Sequence, residues 1–240
     1  MTLTILDIVN GSFGLLFVVI SVLLGLVIIS KYFETKNSNF LLVGLTWILL
    51  ASGWYGTTVS FLIALSTGGE GISYELIMLL NFIPLPFALI TWMIAFTNFL
   101  YKDYQKIVVI LCLIIVVVFH IVFLYYLFTD PIVVGEKISP VDTKANNPIF
   151  GVFLIILVAI LFISGIKFSL ETMKFEDPEM KLKGKLLLIA FPSFCIGAFL
   201  DATMPTTALT LIIFRLILIS SAVEFYSAFI LPGWIKKIFL

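Results

Sequence analysis

Charge is what this chain has least of. Of its 240 residues, 12% are charged and 62% are hydrophobic. Water-soluble domains carry roughly 25% charged residues, and a soluble fold of this length must keep much of its surface wet. The composition therefore excludes an ordinary soluble globule and points to lipid as the solvent. Formal net charge is zero and there is no basic block, which argues against nucleic acid as a partner. Cysteine is scarce as well: Cys112 and Cys195 both lie in apolar runs, where a free thiol acts as a small hydrophobe. With one histidine and no CxxC or Cys/His cluster, neither a metal nor a cofactor is expected. Met1–Asn10 has no Lys or Arg and no A-x-A site follows, so a cleavable signal peptide is not expected. No lipidation motif is visible either.

Catalytic motifs are also missing. A retinal protein needs a lysine deep in its last helix, and Lys236 and Lys237 lie beyond it. A metalloprotease needs His-Glu-x-x-His, and a rhomboid-type protease needs Gly-x-Ser-Gly, whereas the nearest string is Leu50-Ala51-Ser52-Gly53. Paired membrane aspartates, a Walker motif and a nucleophile–base set are absent too. The expectation is a protein that is not an enzyme.

What the chain does have is seven apolar stretches: Gly11–Ser30, Phe40–Leu65, Glu75–Leu100, Ile107–Phe128, Pro148–Leu170, Leu186–Asp201 and Thr207–Leu231. Each approaches the ~20 residues a helix needs to cross a bilayer. The sixth is the shortest. The expected fold is all-α, a single seven-transmembrane-helix bundle over 1–240. Eleven lysines fall on one side: Lys31, Lys36, Lys102, Lys106, Lys167, Lys174, Lys181, Lys183, Lys185, Lys236 and Lys237. Lys137 and Lys144 alone fall on the other. Positively charged loops stay in the cytoplasm, so the N-terminus is expected outside, the C-terminus inside, and the protein multi-pass in the cell membrane. Asp7, Glu70, Glu75, Asp130, Glu136, Asp142 and Asp201 are then outside. Thr129–Asn147 is the longest outer loop, and Glu171–Lys185 is an inner loop of mixed charge. Residues 232–240 are expected to form a stub suited to the inner headgroups, and no soluble effector is expected after it.

Small residues supply close helix contact in lipid. Gly14, Ser21 and Gly25, then Ser52, Gly56 and Ser60, then Ala190, Ser193, Gly197 and Asp201 should face inward. In the third stretch, Pro84 and Pro86 remove two backbone donors and should kink the helix beside Asn81. The freed carbonyls either line a small polar cavity or are satisfied by neighbouring side chains.

A charge in the bilayer core costs at least about 2.5 kcal/mol, so it faces the interior and has a partner. Arg215 and Glu224 sit on opposite faces of the seventh stretch, about 13.5 Å apart along its axis. Asp201 is the expected partner of Arg215, across a tight connection at Pro205 and Thr206. The guanidinium should snorkel toward the outer surface. Asn81 and His120 lie at similar depth, so Asn81, His120, Asp201 and Arg215 form a candidate ligand-binding pocket. The alternative is an Asp201–Arg215 clamp, with His120 bonded separately to a backbone carbonyl. Glu224 is an intramembrane acid that either pairs with Lys31 or Lys167 or keeps its proton.

The strings Leu100-Tyr101-Lys102-Asp103, Asp177-Pro178-Glu179-Met180-Lys181-Leu182-Lys183-Gly184-Lys185-Leu186, Arg215-Leu216-Ile217-Leu218-Ile219-Ser220-Ser221, Glu224-Phe225-Tyr226 and Leu231-Pro232-Gly233-Trp234-Ile235-Lys236-Lys237 resemble an uncharacterised group of archaeal seven-helix proteins. The layout is more distantly similar to the N-terminal seven-helix sensor regions of prokaryotic histidine kinases. The resemblance implies a receptor-like membrane sensor and supplies no ligand or catalytic residue. The expectation is a bundle that binds a small ligand or lipid at its outer pocket and acts on a separate cytoplasmic effector protein. A secondary transporter or channel using Glu224 as a proton or cation site, and a structural membrane subunit, are the alternatives.

Overall fold

The computed structural model describes residues 3–204 and 207–240. It is 83% helical. Seven helical stretches are long and apolar enough to cross a membrane: Ile5–Thr35, Ser38–Thr67, Tyr74–Leu100, Lys102–Thr129, Pro148–Thr172, Pro178–Thr203 and Ala208–Ile230. The connection expected at Pro205 and Thr206 lies outside the described residues.

Local chemistry fixes the helix ends. Helix α1 (Ile5–Thr35) opens with a capping box in which Thr4 and Asp7 satisfy each other's backbone donors. Asp7, which a first stretch beginning at Gly11 left ahead of the helix, is therefore part of it. It is buried in the first turn. The second stretch is two helices, α2 (Ser38–Ala51) and α3 (Tyr55–Thr67), separated by a 3₁₀ turn at Ser52–Trp54. The third is α4 (Tyr74–Phe82) and α5 (Phe87–Leu100), split at Pro84 and Pro86. Then come α6 (Gln105–Thr129), a short α7 (Pro131–Val134) and α8 (Pro148–Thr172). Asn147 caps α8 and Asp177 caps α9 (Pro178–Thr203), each with proline at the first helical position.

This makes the sixth stretch 26 residues long, so it is not the shortest. Most of the expected inner loop is its first two turns, because an N-cap aspartate and an N1 proline start a helix whatever the charge of the residues that follow. Pro192 consequently lies in mid-helix. Helix α10 (Ala208–Ile230) follows, and residues 233–239 form α11 (Gly233–Phe239), tied to α9 by Lys236 Nζ and Glu179 Oε1 at 2.6 Å.

The segment between α7 and α8 folds into a two-stranded antiparallel hairpin. Strand β1 (Gly135–Lys137) pairs with β2 (Thr143–Ala145), placing Glu136 opposite Lys144. The end of the bundle that carries this hairpin is called the hairpin end below. The opposite end carries α11.

Packing follows the small residues. Helices α1 and α2 meet at Gly25 and Gly44, where a Cβ on Gly44 would lie 2.6 Å from the Gly25 carbonyl. Gly11 receives the ring of Phe61, and Gly165 that of Phe191. Helix α10 packs on α9 and α1. The central core joins Phe17, Trp47, Trp92, Phe191 and Phe225. A second aromatic cluster of Phe119, Phe123 and Phe150 seats α6. The exposed faces are apolar, as at Leu23, Leu111, Ile121 and Ile163.

Candidate functional site

The polar group with the most partners from distant parts of the chain is centred on Arg215, the single arginine. The capping box of Thr207 and Thr210 starts α10, which sets Arg215 about two turns in from the hairpin end. Its side chain is 4% exposed and that of Asp201 is 10% exposed, with Nε and Oδ1 3.2 Å apart. The contact is an ion pair whose angle is poor for a hydrogen bond. Arg215 Nη2 donates to Asn10 Oδ1 at 3.1 Å. The indole of Trp54 serves both charges. Its N–H donates to Asp201 Oδ2 at 2.7 Å, and its ring faces the guanidinium carbon at 5.4 Å. Both interactions gain strength where water is excluded. Arg215 Nη1 has no hydrogen-bond partner among the described residues. The guanidinium does not snorkel, because partners from α1, the Ser52–Trp54 turn and α9 hold it inside.

The hairpin closes over this group. Val141 at its tip is fully buried. Pro140 offers its carbonyl to Ser60 Oγ on α3, and Ser60 Oγ accepts from the Ile72 backbone N–H. Gly71 is required there: its φ is +68°, and a Cβ would lie 2.5 Å from the Pro140 carbonyl. The Ser139 hydroxyl accepts from the Asp142 N–H at 3.0 Å. Lys137 Nζ donates to the carbonyls of Glu70 and Ile72 at 3.1 and 2.6 Å, and burial draws the amine below its usual range. Asp142 feels Arg215, Asp201 and Asp7 together. Burial pushes its carboxyl up. The Thr143 backbone N–H and Arg215 oppose that shift, while Asp201 and Asp7 add to it.

The other expected site residues have local partners. Asn81 Oδ1 accepts from the Gly56 backbone N–H at 2.6 Å, and its carbonyl accepts from Ser52 Oγ at 3.2 Å. Asn81 thus holds the broken second stretch, the same break that presents Trp54 to Asp201. His120 Nε2 lies 3.1 Å from the Ile83 carbonyl at the Pro84/Pro86 kink, and Nδ1 lies 2.8 Å from the Val116 carbonyl. Either nitrogen donates, according to tautomer. The ring packs between Phe87 and Phe119. Asp201 and Arg215 are therefore brought together. Asn81 is coupled to them through the Ser52–Gly56 segment, and His120 serves the kink.

Glu224 Oε2 is enclosed with no hydrogen-bond partner among the described residues. The lysines expected to reach it are engaged elsewhere: Lys31 with Glu34 at 2.7 Å and Lys167 with Glu171 at 3.1 Å. Those partners lie one turn away on the same helix, which makes them the nearer choice. Two cavities of about 10 Å³ each touch Trp92 in the apolar core, each with room for about one water. Among the described residues no cluster of His, Cys, Asp and Glu is arranged to hold a metal.

Sequence reasoning missed Asn10 and Trp54, and named Ser60 only for helix packing and Asp142 only as an outer charge. Neutral polar residues inside apolar runs carry little signal. The expected outer loop Thr129–Asn147 gave only the bounds of the segment that forms the hairpin. Comparison of the chain with known protein families and with curated proteins gave no match.

Proposed function

We propose that this protein is a receptor-like sensor of the cell membrane that responds at its hairpin end and acts on a separate cytoplasmic partner at the other. The lysine distribution supports the hairpin end being outside, and the apolar exposed faces support lipid as the surrounding medium. The observation that carries the reading is the reach of α9. Its outer end holds Asp201, in the buried group with Arg215, Trp54 and Asn10. Its inner end holds Glu179, bonded to Lys236 of α11. The two ends are ~33 Å apart along one helix, and Pro192 lies between them. A ligand that altered the Asp201–Arg215 contact would tilt α9 and move α11, the kind of helix shift that switches use. The test is spin-label distance measurement between Glu176→Cys and Phe239→Cys, with Cys112 and Cys195 replaced by alanine. Asp201→Asn should move the distribution by about 2 Å or more. Superimposable distributions in folded variants would sink the proposal.

A transporter or channel is the second reading, favoured by the enclosed, unpartnered Glu224 Oε2 and by the mid-helix position of Pro192. Proton flux in proteoliposomes that survives Glu224→Gln would remove it.

A further inference from the structure

The end of the bundle opposite the hairpin carries a short helix with two distinct sides. Helix α11 begins at Gly233, and α10 ends at Ile230. In a bilayer that is the depth at which a span leaves the hydrocarbon for the headgroups. At about 100° per residue, Trp234, Ile238, Ile235 and Phe239 share an arc of about 140°, and Lys236 and Lys237 lie opposite it. Ile235 is buried against Leu182 and Leu231. Trp234, Ile238 and Phe239 on the same arc are each more than half exposed. A helix of this pattern lies with its apolar side among acyl chains and its lysines among headgroups.

The lysines at this contact outnumber their carboxylate. Lys236 Nζ donates to Glu179 Oε1 at 2.6 Å. Lys183 lies one turn on from Glu179, on the α9 face whose Leu182 and Leu186 pack against α11. It is half-buried, and Lys237 is exposed. Among the described residues neither is in an ion pair. Three lysines thus share one carboxylate beside an uncovered apolar strip. We infer that Lys183, Lys236 and Lys237 form a site for the anionic headgroup of a phospholipid, whose acyl chains cover Trp234, Ile238 and Phe239. A free phosphate would meet the lysines and leave those three side chains in water. A phospholipid satisfies both. Glu179 competes with the headgroup for Lys236. The inference needs only that the bundle sits in a bilayer, and it is independent of the sensor reading.

The test uses the full chain in nanodiscs of equimolar phosphatidylcholine and phosphatidylglycerol. Lipid that stays bound after transfer to detergent is counted by native mass spectrometry. Phosphatidylglycerol should be retained in preference to phosphatidylcholine, and less so as salt rises from about 0.02 M to about 0.5 M. Lys183→Gln, Lys236→Gln and Lys237→Gln together should lower the preference by about fivefold per lysine, the factor for a lysine near an anionic surface. Arginine at the same three positions should keep it. A control that removes as many charges at the same end, Lys31→Gln, Lys36→Gln and Lys106→Gln, should leave it unchanged. Glu179→Gln should raise it, because Lys236 is then free for the headgroup. Absence of any preference, an equal loss in the control, or a fall with Glu179→Gln would each overturn the inference. So would a preference abolished by about 10 mM inorganic phosphate at constant ionic strength, which would assign the lysines to a free anion. If the triple glutamine variant does not fold, the opposite signs expected of Glu179→Gln and of Lys237→Gln alone decide the matter.

Discussion

Asp201 and Arg215 stabilise each other chiefly by sparing each other a worse state. Removing one leaves a buried charge without its counter-charge, which costs about 3–5 kcal/mol. Asp201→Ala should lose that much in reversible unfolding, and Arg215→Met should lose a comparable amount. Asp201→Leu combined with Arg215→Met should recover most of the loss, since a matched apolar pair is tolerated where an orphaned charge is not. A double variant as unstable as the sum of the singles would mean the two charges are not coupled. Trp54→Phe keeps a ring and removes the donor to Asp201, and should cost about 1.5–3 kcal/mol in the same assay. The pair was legible in the sequence because opposite charges in consecutive apolar stretches have few other ways to be satisfied. Trp54 and Asn10 were not legible, since an indole or a carboxamide in such a run fits many surroundings. Asn81 and His120 were expected in one pocket with the Asp201–Arg215 pair. His120 meets a backbone carbonyl, as the clamp alternative had it, while Asn81 accepts from the Gly56 backbone N–H at the other helix break, a partner no residue count foretells.

Helices in this bundle approach as closely as their glycines let them. At Gly44 a methyl group would lie 2.6 Å from the Gly25 carbonyl and 3.1 Å from the Ile29 nitrogen. Neither backbone atom can yield without moving a helix. Gly44→Ala should therefore lower stability by about 1–3 kcal/mol, despite the helix preference of alanine. Gly151→Ala on α8 meets open space and should gain up to about 1 kcal/mol from that preference. Thermal unfolding in detergent separates the two. Equal and favourable shifts would mean that the α1–α2 contact is looser than drawn. Elements were the best-read level of the structure, because long apolar runs and proline breaks are written in consecutive residues. The hairpin was the exception. Its strands are three residues each, too short for an alternating pattern, and its docking depends on Ser60 and Gly71, far away in the chain.

Across the whole molecule, the proposed topology of seven spans would put the two termini on opposite sides of the membrane, with the lysine-rich side in the cytoplasm. Reporters fused to each end should report different compartments, the C-terminal one cytoplasmic. Both in one compartment would overturn the sensor proposal along with the orientation. The closing contact of the bundle also has a consequence for biosynthesis. Asn10 and Arg215 are 205 residues apart in the chain and share a hydrogen bond, so the first span cannot complete its packing until the last has left the ribosome. Until then Asp201 is without its cation. A chain cut short before its seventh span should be cleared by proteolysis, and the full-length one retained.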